Sequence, residues 1–167
     1  MNRSIAVFAS IVGAAVLLAQ FAVAHDELAQ PTAPAQAVTA SAHGGYFATY
    51  GSTRRIEFTA NRDGLNNSKG QGSFFNTTTG LKTHFTIDCL RVEGNVATMS
   101  GIWGIADAVT GEVRHLWLQV IDNGEGNNAH DKVSPLFTSF DPLSCDVDLF
   151  PGHMFDIDAN NGNIQVR

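Results

Sequence analysis

Residues 81–105 read LKTHFTIDCLRVEGNVATMSGIWGI, and the alternation of their apolar side chains decides the fold. Thr83, Phe85, Ile87 and Cys89 share one parity, and successive residues of a strand point to opposite faces. Leu90 and Val92 take the other parity, which predicts a bulge or a stretch buried on both sides. Glu93-Gly94-Asn95 then reads as a tight hairpin connection, because Gly and Asn tolerate the positive φ that such turns demand. Val96 to about Ile105 is the returning strand.

The same period of two extends from Tyr46 onward, so long helices are not expected. Upstream, Arg54 to Ala60 (RRIEFTA) alternates with Ile56 and Phe58 on one face, and Asn61-Arg62-Asp63-Gly64 supplies a turn. Gly70 to Asn76 is a strand joined across Thr77-Thr78-Thr79-Gly80 to the strand beginning at Leu81. Downstream, Asp107 to Gly111 turns into Glu112 to Ile121, with Leu116, Leu118 and Val120 on one side and Val113, His115, Trp117 and Ile121 on the other. Pro135, Pro142 and Pro151 then argue for loops and edges, and Asn163 to Val166 is a short final strand after the Asn161-Gly162 turn. Consecutive hairpins make an antiparallel meander of about seven to eight strands, all-β, in a single barrel or a barrel-like sandwich. The barrel is favoured, because a final strand that pairs with an early one removes exposed edges.

The first residues carry Arg3, an apolar run from Ile5 to about Val23 and a small-x-small site at Ala22-Val23-Ala24, the pattern of a secretory signal peptide over residues 1–24. Residues 25–43, rich in Ala, Gln, Pro and Thr, read as a flexible tether, and residues 44–167 as the β domain. No membrane span is expected once the signal is cleaved. The whole chain has ten basic and 16 acidic residues, a formal charge of -6. Such a balance with scattered basic residues disfavours nucleic acid as a partner. Export to an oxidising space, outside the cell or in a periplasm, predicts that Cys89 and Cys145 pair. No Cys-x-x-Cys spacing supports a zinc or nucleophilic reading instead.

Residues 122–134 (DNGEGNNAHDKVS) concentrate the polar chemistry. Asp122, Asn123, Glu125 and Asp131 form a candidate ligand or calcium loop, although Gly124 stands where an EF-hand needs its third-position oxygen and Val133 where it needs its final Glu. Asp156 to Gly162 (DIDANNG) offers oxygens at the first, third and fifth places, but its glycine falls one place late. Both segments are also what a turn between strands requires, so no cofactor is expected, with calcium as the exception to test. Glu125, His130 and Asp131, with Ser134 nearby, allow an acid–base or nucleophilic reading, yet no Gly-x-Ser-x-Gly elbow, His-Glu-x-x-His helix or P-loop accompanies them. His84 and His115 fall in strands, and the six histidines show no spacing that brings zinc ligands together. His25 would become the amino terminus after cleavage, as in a copper brace, but it leads into the tether rather than a rigid domain. Trp103, Trp117, Tyr46, Tyr50 and the many phenylalanines are read mainly as core, with a surface glycan or small ligand as the partner they could serve.

The segment Leu81 to Arg167 resembles a family of small secreted bacterial proteins without an assigned activity. The resemblance lies in a DCLxVxGNxA hairpin at Asp88 to Ala97, a DNGEG run at Asp122 to Gly126, a later cysteine at Cys145 and a GNIQV ending at Gly162 to Val166. It implies export, an all-β domain and a paired cysteine, and brings no cofactor or catalytic residue. The combined expectation is a secreted binding or structural module without enzymatic activity. Its alternative is a small hydrolase or other small-molecule enzyme using the Asp122–Asp131 loop.

Overall fold

The computed structural model describes residues 37–49, 53–104, 106–107, 109–125, 130–157 and 162–167. The segment read as a signal, the part of the expected tether up to residue 36, residues 126–129 of the polar loop and residues 158–161 of the second acidic segment lie outside the described residues.

Six long strands follow one another as a meander: β1 (Val38–Thr49), β2 (Thr53–Asp63), β3 (Ser68–Asn76), β4 (Lys82–Glu93), β5 (Val96–Trp103) and β6 (Arg114–Ile121). The short strands β7 (Lys132–Val133), β8 (Phe137–Ser139) and β9 (Phe155–Asp156) come from the proline-punctuated region, and β10 (Gly162–Val166) ends the sheet. All pairings are antiparallel, in the order β10-β1-β2-β3-β4-β5-β6-β7-β9, with β8 also on β6. The sheet curls into a half-barrel, and the expected return of the last strand to an early one is the β10–β1 pairing, Ala42 opposite Val166. The seven longer strands match the expected number; the three short ones are bridges of two or three residues.

The concave face is apolar. Ala42, Tyr46, Ile56, Phe58, Phe74, Phe85, Ile87, Leu90, Met99, Leu116, Leu118, Val120 and Ile164 form one buried cluster. The expected β6 facing holds, with Leu116, Leu118 and Val120 inside. Two glycines let the strands approach tightly enough to curl: a Cβ on Gly101 would lie 2.0 Å from the Thr86 carbonyl oxygen, and one on Gly72 2.2 Å from the Phe85 ring.

Three sequence expectations change. β2 runs on through Asn61-Arg62-Asp63, read as part of a turn, and Asn61 and Arg62 pair with Lys69 and Ser68 of β3. β1 begins at Val38, inside the stretch read as tether, because Ala40 and Ala42 are inward-facing but too small to stand out from an Ala-rich background. The bulge in β4 falls between Ile87 and Cys89, so Ile87 opposes Gly101 while Cys89 opposes Ser100. Cys89 therefore leaves the face of Phe85 and Ile87 and turns to the convex side, whereas Leu90 returns to the core opposite Met99.

That turn is what allows the disulfide. Cys89 bonds Cys145, which belongs to an arm crossing the convex side of β4–β6. Beneath the arm Trp117 is fully buried, its indole N–H donates to the Val147 carbonyl at 3.0 Å, and Phe150 packs 5.7 Å from its ring centroid. The barrel-like sheet thus carries a second, smaller apolar layer outside its main core.

Candidate functional site

The polar loop after β6 is a fastener. Asp122 Oδ2 accepts the Val166 backbone N–H at 2.9 Å, and Asp131 Oδ2 accepts that of Ile164 at 2.8 Å. These N–H groups lie two residues apart on β10, whose backbone pairing is with β1. Two carboxylates thereby stand in for a neighbouring strand along that edge, which would otherwise be open. The other oxygens are also engaged: Asp122 Oδ1 accepts Gly124 N–H, and Asp131 Oδ1 accepts Asn123 N–H. The Asn123 amide donates to the His130 carbonyl, and Glu125 accepts from Gln165 at the long limit of 3.5 Å. Asn95 donates to the Asp122 carbonyl at 2.8 Å. Asn95, the described residues Asp122 to Glu125 and the final strand therefore meet at one place.

The remaining candidates do not converge. Ser134 is buried, with its hydroxyl donating to the Pro135 carbonyl and accepting Gln119 N–H. His130 reaches the Ile157 carbonyl at 3.4 Å, and His43 pairs with Gln165 at 3.0 Å. Asp156 pairs with Lys132 at 3.2 Å across β7 and β9. Among the described residues no three His, Cys, Asp or Glu side chains come together as a metal-holding group. Trp117 lies under the arm and Trp103 packs between Phe74 and Phe85, so neither tryptophan offers a flat surface for a sugar.

Two concavities bear on ligand binding. The larger, about 920 Å³, is an open groove on the outer face of β1–β5. A polar row crosses it in register, His43, Thr59, Gln71 and Thr86, and beside it Ser73 donates to Glu57, which also contacts Arg55. Its charge is thus balanced locally on a solvent-facing sheet.

The smaller, about 310 Å³, lies at the β1–β2 end of the half-barrel and is more enclosed. Ala48 and Tyr46 on β1 and Ile56 on β2 form one side; Val133, Leu136 and Ile157 form the other. Room exists because Ala48 is small and Pro135 interrupts the chain where a longer β7 would otherwise fill the end. Phe47 and Phe155, both part-exposed, add aromatic surface, and Arg54 and Asp156 add charge. The volume sits at the small end of ordinary ligand sites, and the wall combines apolar side chains with Thr49, Arg54, Ser134 and Asp156.

Tyr46 is the unusual member. It is buried, and its hydroxyl meets no hydrogen-bond partner among the described residues. Burial raises its pKa above the ordinary phenol value, so the hydroxyl keeps its proton. Arg62 Nε and Ser100 Oγ are likewise buried without a partner among the described residues; of the three residues only Tyr46 contributes to the wall of the end cavity, its hydroxyl itself closed off from that space. Sequence reading missed this site because its walls come from strands and loops far apart in the chain. Its one signal was Tyr46, an aromatic with a polar tip among the small inward-facing residues of β1.

Compared with protein-family models, with curated proteins and with solved structures, the chain matches none.

Proposed function

We propose that this chain is an exported binding module, without enzymatic activity, that takes a small apolar molecule into the cavity at the β1–β2 end. The observation that carries this reading is the cavity of about 310 Å³ itself, whose apolar side chains Tyr46, Ala48, Ile56, Val133, Leu136 and Ile157 stand beside a few polar ones at the end of the half-barrel. The signal-like first 24 residues support export, and the Cys89–Cys145 bond is consistent with an oxidising space. The motifs shared with small secreted bacterial proteins mark, in this reading, how the sheet is fastened rather than a chemistry. An enzyme working through Asp122–Asp131 gains no support, because those carboxylates accept backbone N–H groups.

Titration with the apolar dye N-phenyl-1-naphthylamine tests the proposal. One equivalent should bind with a rise in emission, and Ala48→Trp, which fills the cavity, should remove that rise while near-ultraviolet circular dichroism stays native. No saturable binding to the unaltered protein would overturn it.

A further inference from the structure

We propose that the open groove on the outer face of β1–β5 binds a neutral glycan, an extended chain of uncharged sugars laid across the strands. The groove shares no lining residue with the end cavity, so this inference goes beyond the binding reading above and does not rest on it. Two rows of outward side chains make its floor. His43, Thr59, Gln71 and Thr86 stand opposite one another from β1 to β4, and Glu57, Ser73 and His84 form the row beside them. On β1 the second row has no side chain, because Gly45 stands opposite Glu57, and a Cβ there would come within 3.3 Å of the Glu57 Cγ. The missing side chain deepens the groove at that point.

The chemistry of the rows selects the ligand. Hydroxyl, amide and imidazole groups can each donate and accept, as sugar hydroxyls do. Thr59, Gln71, His84 and Thr86 are exposed and make no side-chain hydrogen bond to another described residue. An apolar ligand would strip water from them and return no hydrogen bond. The lining carries one carboxylate, Glu57, and no lysine or arginine, and Arg55 already pairs with that carboxylate. A polyanion would therefore find no counter-charge along the rows. A peptide strand is taken up through its backbone at a sheet edge, whereas both sides of β2, β3 and β4 are already paired. Spacing fits a glycan as well: neighbouring strands lie about 4.8 Å apart, close to the advance of one sugar ring in an extended chain. Phe47 and Phe75, 45% and 38% exposed, stand on either side of Arg55 at the hairpin end of the same face and give the apolar side of a sugar ring a place to rest.

Affinity electrophoresis in gels cast with soluble polysaccharides tests the inference. The panel is hydroxyethylcellulose, galactomannan, arabinoxylan and amylose, with carboxymethylcellulose as the charged twin of the first. At least one neutral polymer should slow the unaltered protein, and more than the charged one does. Gln71→Ala combined with Thr86→Ala should weaken that binding about tenfold, the share of two neutral hydrogen bonds, while near-ultraviolet circular dichroism stays native because both side chains face solvent. Saturating N-phenyl-1-naphthylamine should leave the mobility unchanged, whereas release of the protein by the dye would move the glycan to the end cavity and overturn the inference. It is overturned equally if no neutral polymer slows the protein, if carboxymethylcellulose slows it more than every neutral one, or if the double variant is slowed as much as the unaltered chain.

Discussion

Asp131 shows how little of a residue's role is written in its neighbours. It sits in a run of acids and amides that invites a metal, yet its side chain is buried and its oxygens take the N–H groups of Asn123 and of Ile164, 33 positions away. No side-chain pattern could announce the second partner, because any residue but proline supplies the same backbone donor. Asp131→Ala should therefore lower stability by about 3 kcal/mol, from two charge-assisted bonds lost and two donors left behind, read as a lower urea midpoint at unchanged slope. Asp63 acts more locally. It caps the β2–β3 turn by accepting from the Asn67 side chain and backbone and from Leu65 N–H, and these bonds hold its pKa below the ordinary 3.8. A lowered folded pKa means that the cap's contribution is complete above the ordinary value and fades as pH falls through the folded one. Amide exchange at Leu65 and Asn67, corrected for intrinsic rates, should accelerate over that acidic interval, and Asp63→Asn should flatten the dependence.

Among the elements, β4 and β5 were the most legible, since apolar alternation and a Gly-Asn turn are properties of the local sequence. The parity switch in β4 was also visible, but its place was not. Cys89 reads as a continuation of Phe85 and Ile87 until the register slips at Asp88 and turns it outward. β1 was legible only in its second half, for Ala40 and Ala42 mark an inner face by fitting rather than by hydrophobic contrast. Gly101 carries a similar hidden constraint. A methyl group there would meet the Thr86 backbone, which cannot rotate away as a side chain would. Gly101→Ala should cost about 2–3 kcal/mol, whereas Gly94→Ala faces open space and would be penalised only by its positive φ. Parallel urea titrations of the two variants check the contrast.

For the molecule as a whole, the meander and its curl followed from short turns and alternating strands, while the end cavity did not, because an empty volume is defined by small or displaced side chains. The arm over β4–β6 lay between these cases: the paired cysteines were expected, but not that Trp117 would sit beneath them. Replacing both, Cys89→Ser with Cys145→Ser, should cost about 4 kcal/mol by the loop-entropy estimate for residues 56 apart. The Trp117 emission should shift to longer wavelength as the arm loosens. The β10–β1 pairing has a different consequence, one in time. His43 and Gln165 stand in register although 122 positions separate them, so β1 must wait for nearly the whole domain to emerge before its outer neighbour exists. During synthesis its free edge is exposed to other chains, and joining it to β10 is a late, slow event of high contact order. The residues that finish the sheet thus also set how long the nascent chain remains vulnerable to aggregation.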